Sequence, residues 1–427
     1  MREILDKLYS LQRRGIVPGL ERVRTMLDRL GNPHQSLRAF HIAGTNGKGT
    51  VSSVMASILL EAGEQVGLYT SPHIRSFNER IRINGAPISD GELIELYRQV
   101  EQMADDVHAT FFEITTVMAL SKFHNSTSTC VLECGLGGRF DATNVVRPQI
   151  AIITSIDYDH REWLGDTLEK IAFEKAGIIK SDVSSIIGEP RAELRAIFQH
   201  RAQQVGAGEI FFLDDIEWRY EILEHRIEGM QVALKIGEWS CEKLFIPLHG
   251  EHQIRNVVIA LLALQQYWKN HSEVHFDPAI VERGLRKLVI NSGLRARIEV
   301  VRHDPLLVFD VAHNPAGCRA LVQVIGKYPF PPQWNVVFGV MQDKDYREML
   351  AILAPVTKRF FFAEPRTERA RSSSDLLAAA RELGIHANKY PQVSDALTSA
   401  IATGEPTICV GSFFTIDEAF DVLDELR

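Results

Sequence analysis

The sequence predicts an α/β protein of two domains, each built on a mainly parallel sheet, with the C-terminal domain the smaller. Three observations lead there. The chain has 427 residues, more than one hydrophobic core usually organises. Short runs rich in Val and Ile alternate with longer amphipathic segments, the pattern of βαβ crossovers. The alternation lapses between Glu217 and Ile246, where short polar and apolar segments alternate instead, and resumes at Pro305.

In the first series, the segments 40–43, 66–69, 129–132 and 149–153 are predicted as short buried strands. Segments 51–62, 90–106, 114–123 and 167–176 are predicted as helices between or after them. Residues 217–246 suggest a small antiparallel patch, followed by a helix over 251–268. The second series predicts strands at 306–309, 334–338, 359–362 and 407–410, helices at 315–326 and 346–353, and a last helix toward Arg427. Ser292 and Gly293 interrupt the helical pattern, so the domains are expected to be 1–294 and 295–427, with a ligand cleft between them.

Hydrophobic residues make up 45% and charged residues 24%, which excludes long disorder. The net charge of −8 argues against nucleic acid as main partner, since phosphate binding needs a basic surplus. Five scattered cysteines lack a C-x-x-C spacing; Cys130 and Cys134 read as small buried hydrophobes, and the pattern suits a reducing compartment. The segment from Met1 to Gly15 has no apolar leader core, and no uncharged apolar run reaches membrane-spanning length. A cytoplasmic monomer without membrane partner is expected.

The strongest chemical signal is His41-Ile-Ala-Gly44-Thr45-Asn46-Gly47-Lys48-Gly49-Thr50, after a strand and opening a helix. Glycines let backbone N–H groups approach phosphate oxygens, the helix N-terminus adds partial positive charge, and Lys48 reaches the distal phosphates. Thr50 offers a hydroxyl to Mg²⁺. The string departs from the common P-loop spacing: two residues separate Gly44 from Gly47, and Gly49 stands between Lys48 and Thr50. Read without that lysine, the string is a Gly-rich strand-to-helix turn.

With this loop the chain begins to resemble the folylpolyglutamate synthase/dihydrofolate synthase family. Upstream, Gly19-Leu-Glu-Arg-Val23 and Leu30-Gly-Asn-Pro-His34 match its opening. Downstream follow Thr70-Ser71-Pro72-His73, Asn78-Glu79-Arg80-Ile81, the block Glu133 to Asn144, Asp159-His160, and Glu174-Lys175-Ala176-Gly177-Ile178. Later blocks are His252-Gln253-x-x-Asn256, Asp310-x-Ala-His313-Asn314-Pro315 and Asp343-Lys344-Asp345. They occur in family order over nearly the whole chain. The resemblance implies a Mur-ligase-like fold: a P-loop domain with a mainly parallel sheet and a Rossmann-like C-terminal domain. It implies ATP-dependent ligation of L-glutamate to a folate, and to dihydropteroate, through an acyl phosphate.

The resemblance also assigns site residues. Thr50, Ser71 and Glu133 match positions around one Mg²⁺, and Glu133 ends an apolar strand, where the C-terminal edge of a parallel sheet places active sites. His160 and Lys175 match a second Mg²⁺ site, with Lys175 carrying a carbamate formed from CO₂. Ile171, Ala172 and Ile178 surround Lys175 on its predicted helix, so partial burial is expected, which lowers an amine's pKa and makes it nucleophilic. On spacing alone Lys175 reads as a surface cation paired with Glu174 or Glu169, Glu133 as a strand-end carboxylate and His160 as a packed loop residue. Gln253 and Asn256 match positions near adenine; Arg297, Asp310 and His313 match positions that meet the ATP phosphates and ribose. Lys48, Lys175, His160 and Arg297 are the expected catalytic groups, none of them a covalent nucleophile. Pro72, Phe77 and Arg80 are expected to offer folate an apolar face and a cation. Arg295 stands where relatives often have Pro and Val311 where they often have Gly. Two rival readings are a Mur-type ligase of another acid and amine, and a nucleotide-binding regulator without turnover.

Overall fold

Strand β1 (Arg38–Ala43) lies near the centre of an eight-stranded sheet, and its mainly apolar residues from Ala39 to Ala43 are buried on both faces. The computed structural model describes residues 2–15, 17–270, 276–327 and 329–425. The other strands of this sheet are β2 (Val66–Tyr69), β3 (Ile81–Ile83), β4 (Ala86–Pro87), β5 (Thr129–Glu133), β6 (Pro148–Ile153), β7 (Ser184–Ile187) and β8 (Ile210–Phe212). Their order is β4-β3-β2-β5-β1-β6-β7-β8. From β2 to β8 all pairs are parallel, and β3 and β4 add an antiparallel edge.

This order puts the C-terminal ends of β2, β5, β1 and β6 side by side. The chain leaves β1 for β2 on one side and later enters β6 on the other, so the order reverses beside β1. Such reversal points leave a crevice above the strand ends. The helix Lys48–Glu61 that follows β1 is buried from Thr50 to Leu59. Its outer neighbour is the helix Pro278–Arg286, where a Cβ on Gly284 would stand 2.6 Å from Ile58, and Ser57 Oγ donates to the Gly284 carbonyl at 2.6 Å. One core cluster gathers Leu8, Met26, Phe77, Leu93, Leu120 and Phe123; another gathers Ile153, Ile171, Ile178, Leu194 and Phe198.

The antiparallel patch is a three-stranded meander of β9 (Trp218–Arg226), β10 (Gly229–Ile236) and β11 (Trp239–Ile246), with β10 in the middle. A six-stranded sheet follows in the order β12-β13-β17-β14-β15-β16. Its strands are β12 (Glu299–His303), β13 (Leu306–Phe309), β14 (Trp334–Phe338), β15 (Thr357–Phe362), β16 (Ala387–Lys389) and β17 (Thr407–Val410). Only β12 is antiparallel to its neighbour. Its core holds Trp334, Phe338, Phe360 and Phe362.

The chain divides into two compact units. The first comprises Met1–Arg219, Lys235–Cys241 and Arg255–Leu294; the second comprises Tyr220–Leu234, Glu242–Ile254 and Arg295–Arg427. Among the described residues no helix is long and apolar enough to cross a membrane. All five cysteines are free, and Cys130 and Cys134 are buried as expected.

Candidate active site

The Gly-rich loop turns sharply where only glycine fits. Gly44 has φ +150°, and a Cβ there would collide with Thr154 Oγ1 at 1.9 Å. Gly47 has φ +86° and precedes the helix Lys48–Glu61; a Cβ there would meet Asn256 Oδ1 at 2.4 Å. Asn256, singled out from the sequence, thus sits directly against this turn. No side chain caps the helix, so its first N–H groups suit an anion.

The turn after β6 supports the loop from below. Thr45 N–H donates to the Ser155 carbonyl (2.7 Å), Thr45 Oγ1 accepts from Asp157 N–H (2.9 Å), and Thr154 Oγ1 donates to the Asn46 carbonyl (2.6 Å). Sequence reasoning missed this cradle; the only signal was a Thr-Ser pair at the end of a predicted strand.

Two lysines reach the loop. Lys48 Nζ donates to the carbonyls of Gly44 (3.1 Å) and Thr45 (3.2 Å). Lys175 Nζ, on the helix Leu168–Ala176, donates to the same Gly44 carbonyl at 2.6 Å and is buried. Burial, reinforced by the nearby Lys48 charge, lowers the Lys175 pKa to about 7. Glu174 is not its partner: that carboxylate pairs with Arg139 at 2.6 Å. The spacing-only picture of a surface cation fails because the loop after β5 covers the lysine. A Cβ on Gly138 would stand 2.9 Å from the Lys175 carbonyl oxygen, and one on Gly177 would stand 2.4 Å from Arg139 Cα.

Glu133 ends β5 and is buried, and one of its oxygens accepts the Ser71 N–H at 3.2 Å. Thr50 is also buried, in the first turn of its helix. Among the described residues, no three His, Cys, Asp or Glu side chains stand together as a metal cluster. Mg²⁺ needs no such cage, since it commonly takes one or two carboxylates and completes its shell with phosphate and water. A buried carboxylate against the Ser71 backbone, with the Thr50 hydroxyl in the first turn after the Gly-rich loop, offers the oxygen donors that ion takes. His160 is half-exposed in a left-handed conformation (φ +49°), with Nε2 3.9 Å from Asp159. Lys175, as an amine, is an N–H donor and supplies no anionic oxygen.

Beneath the loop, Asp141 is buried and accepts from Leu136 N–H (2.8 Å) and Thr143 N–H (3.0 Å); burial raises its pKa. His41 Nε2 lies 2.7 Å from Thr143 Oγ1, and burial pushes its pKa down to about 3, so the ring is neutral.

The expected folate-facing trio does not share one surface. Pro72 is exposed, whereas Phe77 is 2% exposed within the core, because the 3₁₀ turn Phe77–Arg80 turns its ring edge-on to Phe111 at 6.0 Å. Arg80 is buried over Phe111 (5.2 Å), donates to His73 Nδ1 (2.7 Å), and has its pKa lowered by burial.

In the second unit, Asp310 is buried at the end of β13 and accepts from Ile298 N–H (2.8 Å) and Ala312 N–H (2.7 Å). Burial raises its pKa, against the opposing charge of Arg297. Arg297 stands between Ala296 (φ +53°) and Ile298 (φ +54°), with its guanidinium 5.7 Å from the Phe413 ring. His313 Nδ1 lies 2.8 Å from the Val311 carbonyl, and its ring is 5.7 Å from Phe413. Val311 does not adopt a positive φ, and its N–H donates to the Ala296 carbonyl at 3.1 Å. Gln253 is buried on the helix Glu251–Asn270 that also carries Asn256.

A parallel sheet with a lysine-bearing Gly-rich loop, a carboxylate on the adjacent strand end and a second buried lysine has the features of a nucleotide-dependent α/β enzyme. Residues 42–264 match the Mur ligase middle domain, and residues 296–411 match the Mur ligase, glutamate ligase domain. The chain is 34% identical over 415 residues to the dihydrofolate synthase/folylpolyglutamate synthase of Bacillus subtilis, covering 95% of this chain and 94% of that one. The structure of E. coli FolC in complex with DHPP and ADP superposes with a TM-score of 0.87 at 31% identity, covering 99% and 98% of the two chains. The bifunctional folylpolyglutamate synthase/dihydrofolate synthase of Yersinia pestis, complexed with AMPPNP and a Mn ion, gives 0.83 at 32% identity, with 98% and 97% covered. The chain belongs to the dihydrofolate synthase/folylpolyglutamate synthase family.

Proposed function

We infer that this chain is an ATP-dependent amide-forming ligase that joins L-glutamate to folates and to dihydropteroate. The observation that carries the reading is the convergence of Lys48 and Lys175 on the Gly44–Thr50 loop, in a chain that matches such ligases along almost its whole length.

ATP binds with its phosphates against the N–H groups of the loop and Lys48. The substrate carboxylate attacks the γ-phosphorus, a C–O–P bond forms, and ADP departs. The glutamate amine then attacks the acyl carbon, and collapse of the tetrahedral adduct expels phosphate and leaves the amide. Lys48 offsets charge on the transferring group, a role assigned also to Arg297. Thr50, Ser71 and Glu133 hold a Mg²⁺ that, when bound, neutralises phosphate charge.

The finer assignments form part of the same proposal. His160 and a Lys175 carbamate hold a second Mg²⁺. Gln253 and Asn256 serve the adenine, and Asp310 and His313 serve the nucleotide. Exposed Pro72 serves the folate, and the buried Phe77 and Arg80 shape the segment that presents it. Residues 1–294 form the ATP- and folate-binding part and 295–427 the ligase part. A cytoplasmic location accords with five free cysteines, and we propose a monomer.

Purified protein with ATP and Mg²⁺ should release phosphate only when glutamate and a folate or dihydropteroate are both present. Stimulation by UDP-linked sugar peptides, with none by folates, overturns the reading in favour of another Mur-type ligase.

A further inference from the structure

The loop after β6 supports the phosphate loop, and it is itself held at one residue, through the peptide groups on either side of it. Ile156 N–H donates to Glu189 Oε2 at 2.6 Å, and the Ile156 carbonyl accepts from Arg191 Nη2. Glu189 is buried just beyond the end of β7. Its other oxygen accepts Arg191 Nε (2.6 Å) and Arg191 N–H (3.0 Å), which fixes the carboxylate in its plane. Ile156 lies between Ser155 and Asp157, the two residues that hold Thr45 through its N–H and its hydroxyl.

Gly188 sets the approach of the two loops. Its N–H donates to the Ile153 carbonyl at 2.7 Å, a Cβ on it would stand 2.5 Å from the Thr154 carbonyl oxygen, and its carbonyl accepts from Arg255 Nη2 at 2.8 Å. The contacts thus run without a gap from Arg191 and Glu189 through Ile156 to Thr45.

We propose that Glu189 and Arg191 are positioning residues for ATP, which hold the two peptide groups flanking Ile156 and so set the Ser155–Asp157 support under Thr45. Neither touches nucleotide in this assignment. Their effect falls on ATP rather than on the other two substrates, because the supported element is the phosphate loop. The inference rests on the reading of Gly44–Thr50 as the ATP site.

The test is steady-state kinetics with each substrate varied in turn, on wild type, Glu189→Ala, Glu189→Gln, Arg191→Ala and Lys48→Ala. Glu189→Ala removes the acceptor for Ile156 and should raise KM for ATP on the order of tenfold, the scale of lost outer-shell support, leaving KM for folate and glutamate unchanged. Glu189→Gln keeps an oxygen for the Ile156 N–H and should recover most of that loss. If Glu189→Ala does not fold, Arg191→Ala, whose position is partly exposed, carries the same test through the Ile156 carbonyl. An unchanged KM for ATP in a folded variant overturns the proposal. So does an equal rise in all three KM values that tracks a lower melting temperature. Wild-type affinity for ATP in folded Lys48→Ala instead overturns the assignment of the ATP site itself.

Discussion

Lys48 and Lys175 share one acceptor: both amines donate to the carbonyl oxygen of Gly44, at 3.1 and 2.6 Å. One backbone oxygen cannot neutralise two ammonium groups, and Lys175 is the buried one. Its proton is therefore the one the fold disfavours, first by desolvation and then by the Lys48 charge.

This gives stability a definite dependence on pH. The folded-state pKa of about 7 lies below the ordinary 10.5. Between those values the unfolded chain holds a proton on this amine that the folded chain lacks, so this residue's contribution to stability rises with pH. Below about pH 7 both states are protonated and the contribution is flat. In CO₂-free buffer without nucleotide, Lys175→Met should melt above wild type at pH 7, and the gap should narrow steadily toward pH 10. A gap independent of pH would show that the amine keeps its ordinary affinity for protons.

Gly138→Ala should impair activity more than stability. A Cβ would lie 2.9 Å from the Lys175 carbonyl oxygen and 3.0 Å from that of Glu174, both backbone atoms that cannot swing aside. Overpacking of this kind costs about 1–3 kcal/mol, and displacing a reacting group by about 1 Å can cost roughly a hundredfold in rate. Gly206→Ala is the control. Its φ of +63° strains alanine, but no atom lies within 4 Å of the new Cβ, so stability falls without loss of turnover. Equal activity in the two variants would detach the Gly138 contact from catalysis.

The sequence disclosed what local pattern encodes. β2, β13, β14 and β17 run over the predicted residues because each is a mainly apolar run buried on both faces. The Gly44–Thr50 loop and the strand-end position of Glu133 were legible for the same reason. β7 and β16 were not assigned, being four and three residues long and carrying polar positions such as Ser184, Asn388 and Lys389; β8 is apolar but only three residues long. Partial burial of Lys175 was legible from its neighbours Ile171, Ala172 and Ile178, but its full burial was not, since the helix also bears Glu169, Lys170 and Glu174. It arises from Gly138 and Gly177, which let two backbones touch some 40 residues apart in sequence. Phe77 was misread in its surroundings because a four-residue 3₁₀ turn has no periodicity from which to tell its inner side.

The last prediction concerns the chemical state of Lys175. A buried amine with its pKa lowered to about 7 has a large neutral fraction at neutral pH, where an ordinary lysine has almost none, and the neutral amine is the form that adds to CO₂. The product keeps one N–H on Nζ, so the bond to the Gly44 carbonyl can persist while two anionic oxygens replace a positive charge. Those oxygens are what a hard cation prefers, and the new negative charge also removes the repulsion from Lys48. Protein equilibrated with ¹³C-bicarbonate should therefore show a carbamate carbonyl resonance that is missing from Lys175→Ala. That variant should lose turnover by on the order of a hundredfold or more, as when a group stabilising phosphoryl transfer is removed. Short carboxylic acids such as acetate should restore part of it by placing an anionic oxygen in the vacated space, whereas chloride at equal ionic strength should not. A silent ¹³C spectrum from fully active enzyme would leave Lys175 a structural amine bonded to Gly44.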